Sequence, residues 1–116
     1  MIKFCSLNQN EHFKKILQQK KYSTNYFTIY FGKNIKKLES KNKTLNISFV
    51  SKKKIGNAVK RNKIKRKLKA AVQKFLKQKG TINLNYTYII FGKDVTYKEK
   101  FVNIFNEINN VFEKIR

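Results

Sequence analysis

Apolar positions recur along this chain with two different periods, and the switches between them mark its elements. Asn8 or Asn10 can cap a first helix in which Phe13, Ile16 and Leu17 share one side and which ends near Lys21. Tyr26 to Phe31, YFTIYF, is aromatic and β-branched and alternates. It predicts a strand with Tyr26, Thr28 and Tyr30 on one face and Phe27, Ile29 and Phe31 on the other. A polar connection over Gly32 to Asn42 leads to a second strand, Thr44 to Val50, in which Leu45, Ile47 and Phe49 alternate against Thr44, Asn46 and Ser48. The short connection suggests that these two strands pair antiparallel.

From Ala58 the period becomes helical, because Ile64, Leu68, Ala71, Val72, Phe75 and Leu76 return every three or four residues. Gly80 is its expected stop. Tyr86 to Phe91, YTYIIF, is a third strand, and Tyr97 to Ile115 a last helix with Phe101, Ile104, Phe105, Ile108, Val111 and Phe112 in one stripe. The predicted class is α+β in the order α-β-β-α-β-α, one domain over residues 1–116 with a small mixed sheet. A strand, a long helix and a strand form a crossover, so Thr44–Val50 and Tyr86–Phe91 are expected to be parallel neighbours.

Charge changes the picture at the central helix. The formal net charge is +22 on 116 residues, and no Asp or Glu lies between Glu39 and Asp94. On a helical projection Asn62, Lys63, Arg66 and Lys69 lie opposite the apolar stripe, with Lys60, Arg61, Lys65 and Lys67 flanking it. Such a density of like charge exceeds the roughly 2 to 8 that solubility asks of a small domain. It predicts a polyanionic partner, nucleic acid foremost. No run is long and apolar enough to span a bilayer, and the N-terminal MIKFCSLNQNEHF has no apolar signal core, so the expected location is cytoplasmic, with no membrane partner. One cysteine, Cys5, excludes an internal disulfide, and with a single histidine, His12, no zinc-like cluster is expected. The acids Glu11, Glu39, Asp94, Glu99, Glu107 and Glu113 are scattered, with neither a carboxylate pair for two metal ions nor a Ser-His or Cys-His arrangement. No catalytic or metal-ligating residue is assigned.

The stretch Val50 to Val72, VSKKKIGNAVKRNKIKRKLKAAV, closely resembles the signature of the bacterial ribonuclease P protein subunit, whose Arg-Asn-Arg box continues into further basic residues on a long helix. The ordered series Ser51, Lys52, Lys53, Gly56, Asn57, Ala58, Val59, Arg61, Asn62, Ile64, Lys65 and Arg66 carries the resemblance. NEHFKKIL, YFTIYF, YIIFGK and Tyr97-Lys98-Glu99 extend it more weakly along the chain. Three features depart: Lys63 stands for the second arginine of the box, Leu17 for a frequent aromatic, and Phe91-Gly92-Lys93-Asp94 for the usual end of the third strand.

The resemblance implies a rare left-handed crossover through the basic helix, against the general rule. It implies a subunit that binds the catalytic RNA of ribonuclease P and assists it in removing the 5′ leader from precursor tRNA. The RNA performs the metal-assisted hydrolysis, and Mg²⁺ is held mainly by RNA. It also implies two surfaces. Lys52, Lys53, Lys54, Arg61, Asn62, Lys63, Lys65, Arg66 and Lys69 would face the catalytic RNA by phosphate neutralisation and hydrogen bonding. Phe13, Leu17, Tyr26, Thr28 and Tyr30 would guide the single-stranded leader. Alternatives are a ribosomal or other general RNA-binding protein, which would co-purify with ribosomes, and an independent nuclease, disfavoured by the scattered acids. A helix-turn-helix DNA binder would need a short helix just before the basic one, where the pattern gives a strand and loop.

Overall fold

A computed structural model describes residues 2–6, 10–33, 44–78 and 80–115. The elements are β1 (Lys3–Cys5), α1 (Asn10–Leu17), β2 (Lys20–Ser23), β3 (Phe27–Lys33), β4 (Thr44–Val50), α2 (Ala58–Lys77), β5 (Tyr86–Gly92) and α3 (Phe101–Lys114). Single 3₁₀ turns at Lys53–Ile55 and Asp94–Tyr97 lead into α2 and follow β5. The strands form one mixed sheet in the order β1-β4-β5-β3-β2.

Three expectations are corrected by this order. The strands Tyr26–Phe31 and Thr44–Val50 do not pair: β5 lies between them, antiparallel to β3 and parallel to β4. The physical reason is in β5 itself, whose Thr87, Tyr88, Ile89 and Ile90 are all buried, as in a strand packed on both faces and paired on both edges. The first helix stops at Leu17, short of Lys21, since Lys20 and Lys21 belong to β2 on the sheet edge. And β1 adds a parallel strand beside β4 at the other edge. Both missed strands are short and lysine-bearing, which protects an edge but erases the apolar alternation by which strands are read. Most of the polar connection expected over Gly32 to Asn42 lies outside the described residues.

The parallel pairing of β4 with β5 through α2 agrees with the crossover expectation. Asn57 starts α2, its side-chain oxygen accepting from the Lys60 amide at 2.9 Å, a cap worth about 1 kcal/mol. The helix ends at Lys77, and the Gly80 amide donates to the Phe75 carbonyl at 2.9 Å. With no acid along α2 to relieve i,i+4 repulsion, its helicity rests on burying Ile64, Leu68, Ala71, Val72 and Phe75.

Those side chains pack with Ile104, Ile108, Val111 and Phe112 of α3 onto one face of the sheet, made by Phe27, Ile29, Phe31, Leu45, Ile47, Tyr88 and Ile90. Phe112 stacks on Phe75 at 5.6 Å and meets Tyr88 edge-on at 5.4 Å. Burial pushes the Tyr88 phenol up to about 12 while it donates to the Asn83 carbonyl. α1 lies against the opposite face, where alternation turns Tyr30, Ile89 and Phe91. The sheet is therefore sandwiched between two helices and one.

Gly92 marks where α2 crosses the end of β5. A Cβ there would collide with Ile64 Cγ2 and press on Leu68 Cδ1 at 3.0 Å, both within the fully buried stripe. Gly92→Ala should cost roughly 1 to 3 kcal/mol by overpacking. Thermal or urea unfolding measures it, and a wild-type midpoint would contradict the tight approach.

Candidate nucleic-acid interface

α2 presents its charge as the helical projection predicts. Asn62, Lys63, Arg66 and Lys69 are exposed, and Lys60, Arg61, Lys65 and Lys67 are half-buried beside the apolar stripe. Lys52, Lys53 and Lys54 are exposed just before the helix. Buried Ile64 and Leu68 fix the helix's rotation, so the outward residues are outward by packing rather than by rotamer choice. Arg61 keeps its Nε buried with no hydrogen-bond partner among the described residues, and the same is true of Ser51 Oγ.

The flanking row is engaged differently. Lys60 pairs with Asp94 at 2.5 Å. Its ammonium and that of Lys63 lie 5.3 and 5.1 Å from the centroid of the Tyr97 ring. Lys67 donates to three backbone carbonyls, Thr96 at 3.1 Å, Tyr97 at 2.7 Å and Glu99 at 2.9 Å. Burial, with the nearby Lys63 charge second, holds the Lys67 ammonium below the usual lysine range against the pull of Glu99. The sequence pattern identified these lysines as flanking but gave no sign of the turn that receives them, 27 residues and more away.

On the α1 face, Phe13 and Tyr30 both meet Phe91 edge-on, at 6.2 and 5.5 Å. All three rings are half-buried. Thr28 lies two residues along β3 from Tyr30, its hydroxyl 3.2 Å from that of Ser23, and Leu17 is half-buried at the end of α1. Tyr26 differs from the other four leader candidates: it precedes β3, and its side chain packs against the core beneath α2 and α3. Its carbonyl accepts from the Lys93 amide and from the Thr96 hydroxyl, which fixes the β2–β3 connection to the chain after β5.

Phe91 is the residue that sequence reasoning left out of the aromatic group. It closes the third strand, and the alternation of YTYIIF sets it on the face opposite Tyr88 and Ile90. Lys52 Nζ lies 5.8 Å from its ring centroid. The basic loop and the aromatic cluster, expected as two separate surfaces, therefore meet at one contact.

Among the described residues no three His, Cys, Asp or Glu side chains come together as metal ligands. Glu99 receives Asn103 Nδ2 at 2.6 Å, a hydrogen bond that holds its carboxyl below the usual range. No described helix is long and apolar enough to cross a membrane.

Similar architecture occurs in solved structures. A ribonuclease P protein from Staphylococcus aureus superposes with a TM-score of 0.72 at 23% identity, covering 96% of this chain and 94% of that one. A ribonuclease P protein from Thermotoga maritima, in complex with 1-(4-fluorophenyl)-2-thiourea, gives a TM-score of 0.72 at 23% identity over 95% and 99% of the two chains. At this identity the superpositions establish the fold. Comparison with curated protein sequences gives no significant match. The family profile described as Ribonuclease P matches residues 1–116 in full, and this chain belongs to that family, as an RNA-binding protein component of the tRNA-processing ribonuclease P holoenzyme.

Proposed function

We propose that the exposed face of α2, with Lys52, Lys53 and Lys54, binds the catalytic RNA of ribonuclease P near the substrate's cleavage site, and that the α1 face of the sheet guides the 5′ leader of precursor tRNA. The observation that carries the reading is the contact of Lys52 with Phe91. It makes a phosphate-attracting loop continuous with an aromatic cluster, the combination that holds an unpaired strand by backbone and base together. Arg66, Lys69 and Lys65 neutralise phosphates, Asn62 adds a hydrogen bond, and Lys63 contributes a point charge where an arginine would present a fork. Arg61, half-buried beside the apolar stripe, adds a guanidinium to the same flank. Phe13 and Tyr30 offer ring faces or edges to leader bases, with Leu17 and Thr28 beside them. Tyr26 contributes from the core side by fixing the start of β3.

The described acids do not come together as a metal centre. Asp94 is committed to Lys60 and Glu99 to Asn103, so no step of hydrolysis is assigned to its side chains. In this reading Mg²⁺ is held mainly by RNA and the RNA performs the cleavage, while the protein binds, orients and steers.

Precursor tRNA incubated with the protein alone, the cognate RNA alone and both together tests this. At low Mg²⁺ only the mixture is expected to release the leader efficiently. Cleavage by the protein alone would make it an independent nuclease. No gain over the RNA alone, with the protein recovered on ribosomal subunits, would favour the general RNA-binding alternative.

A further inference from the structure

We propose that Lys67 is a positioning residue which, through the 94–97 turn, keeps Lys60 out of the RNA interface and so sets the number of lysines on α2 that meet phosphate. The proposal rests on the reading of α2 as the RNA surface. Lys67 sits one turn beyond Lys63 and two beyond Lys60 on the same flank, yet it points its ammonium inward, to the carbonyls of Thr96, Tyr97 and Glu99. Three acceptors use all three protons of an ammonium, which leaves none for a phosphate.

The turn so captured is held from its other side as well. Thr96, fully buried, donates its hydroxyl to the Tyr26 carbonyl at 2.6 Å, and Lys93 donates its amide to that carbonyl and its ammonium to the Thr24 carbonyl. Clamped between α2 and the β2–β3 connection, the turn presents two side chains to the basic helix. Asp94 pairs with Lys60, and Tyr97 puts its ring against Lys60 and Lys63. Lys60 is thereby given an internal carboxylate and an aromatic face in place of a phosphate. Lys63, exposed and without the carboxylate, stays available over the same ring. A lone exposed ion pair contributes little. Here the fixed backbone beneath it removes much of the entropy cost of holding it, so Lys67 acts on Lys60 through Asp94.

The sign of a salt titration separates this role from its rivals. Lys67→Met keeps the length of the side chain and loses the three donors. The turn then loses its tie to α2 and stays tethered only to the β2–β3 connection, Lys60 joins the interface, and the slope of log affinity against log salt for the catalytic RNA should steepen by about 0.7 to 0.9, one further phosphate. Adding Lys60→Gln to Lys67→Met should return the slope to the wild-type value, whereas Lys60→Gln alone should leave it unchanged. A shallower slope in Lys67→Met would mean that Lys67 itself meets phosphate. An unchanged slope with a lowered melting temperature would mean a purely structural tie. Either result overturns the proposal.

Asp94→Asn, which leaves the clamp intact, provides the same release of Lys60 without risk to the fold, and must steepen the slope in the same direction. In the free protein, the ε-methylene protons of Lys60 and Lys63 should be shifted upfield by the Tyr97 ring and return toward ordinary lysine values in Lys67→Met. That spectrum does not depend on RNA. If the wild-type protein shows no salt-dependent affinity for the catalytic RNA, the reading of α2 fails; if it binds and the ring shifts are absent, the positioning role alone fails.

Discussion

Replacing Arg66 and Lys69 together by alanine should weaken binding to the catalytic RNA by about a hundred-fold at low salt, with the deficit shrinking as salt is raised. Both side chains are exposed on the face of α2 opposite buried Ile64 and Leu68, so their removal takes charge from the surface and leaves the core untouched. A hydrogen bond to a charged group is worth roughly 1.5 to 3 kcal/mol, and about 1.4 kcal/mol is a factor of ten. Two phosphate contacts therefore account for the hundred-fold, and their loss should flatten the log-log salt slope by about 1.4 to 1.8. Filter binding or fluorescence anisotropy across a salt series reads both numbers. A reduced affinity with an unchanged slope would mean that these residues do not meet phosphate and that the loss comes from elsewhere. Arg61 is a poorer choice for this experiment, since its half-buried position mixes packing with charge.

Why α2 was legible in advance and the sheet edges were not follows from what each element needs. A twenty-residue helix must bury a stripe, and Ile64, Leu68, Ala71, Val72 and Phe75 write that stripe into the sequence with the charged face as its complement. A three- or four-residue edge strand needs only backbone partners, which leave no mark on side-chain type. Lys3–Cys5 and Lys20–Ser23 therefore read as loop and helix tail. Strand order has the same limitation. Alternation in YFTIYF and TLNISFV sets Phe27, Ile29, Leu45 and Ile47 on the side that is buried, yet it carries nothing about which neighbour occupies the hydrogen-bonding edge.

The site divides along a similar line. Residues of the basic box were found because they are contiguous on one helix and resemble a known signature. Contacts between elements distant in the chain were not: Lys67 with Thr96 to Glu99, Lys60 with Asp94, and Lys52 with Phe91 join positions tens of residues apart. Tyr26 shows the converse, an alternation that continues one residue past the strand's start and so assigned a core-packed ring to the open face.

Tyr30→Ala should separate leader guidance from general RNA affinity. Tyr30 stands on the α1 face of β3, half-buried, its ring 5.5 Å from that of Phe91 at 78°. Lys21 Nζ lies over the Tyr30 ring, 6.0 Å from its centroid, so a base that stacks there displaces the ammonium toward its own phosphate, and stacking of one base is worth roughly 1 to 3 kcal/mol. Its loss should weaken holoenzyme binding to precursor tRNA by about ten-fold, while affinity for mature tRNA, which has no leader, and for the catalytic RNA stays near wild type. The aromatic pair with Phe91 is worth about 0.5 to 1.5 kcal/mol, so the melting temperature should also fall, by the same amount whichever RNA is then tested. Tyr30→Phe is the decisive companion. It keeps the ring and its packing, so it should bind precursor tRNA almost as well as wild type if stacking dominates, and should behave like Tyr30→Ala if the hydroxyl bonds a leader phosphate. A tyrosine serving only the fold predicts a third pattern, in which Tyr30→Ala lowers the melting temperature and precursor and mature tRNA lose affinity alike. Equal losses for the two substrates would remove the α1 face from the leader's path and leave the aromatic cluster as packing alone.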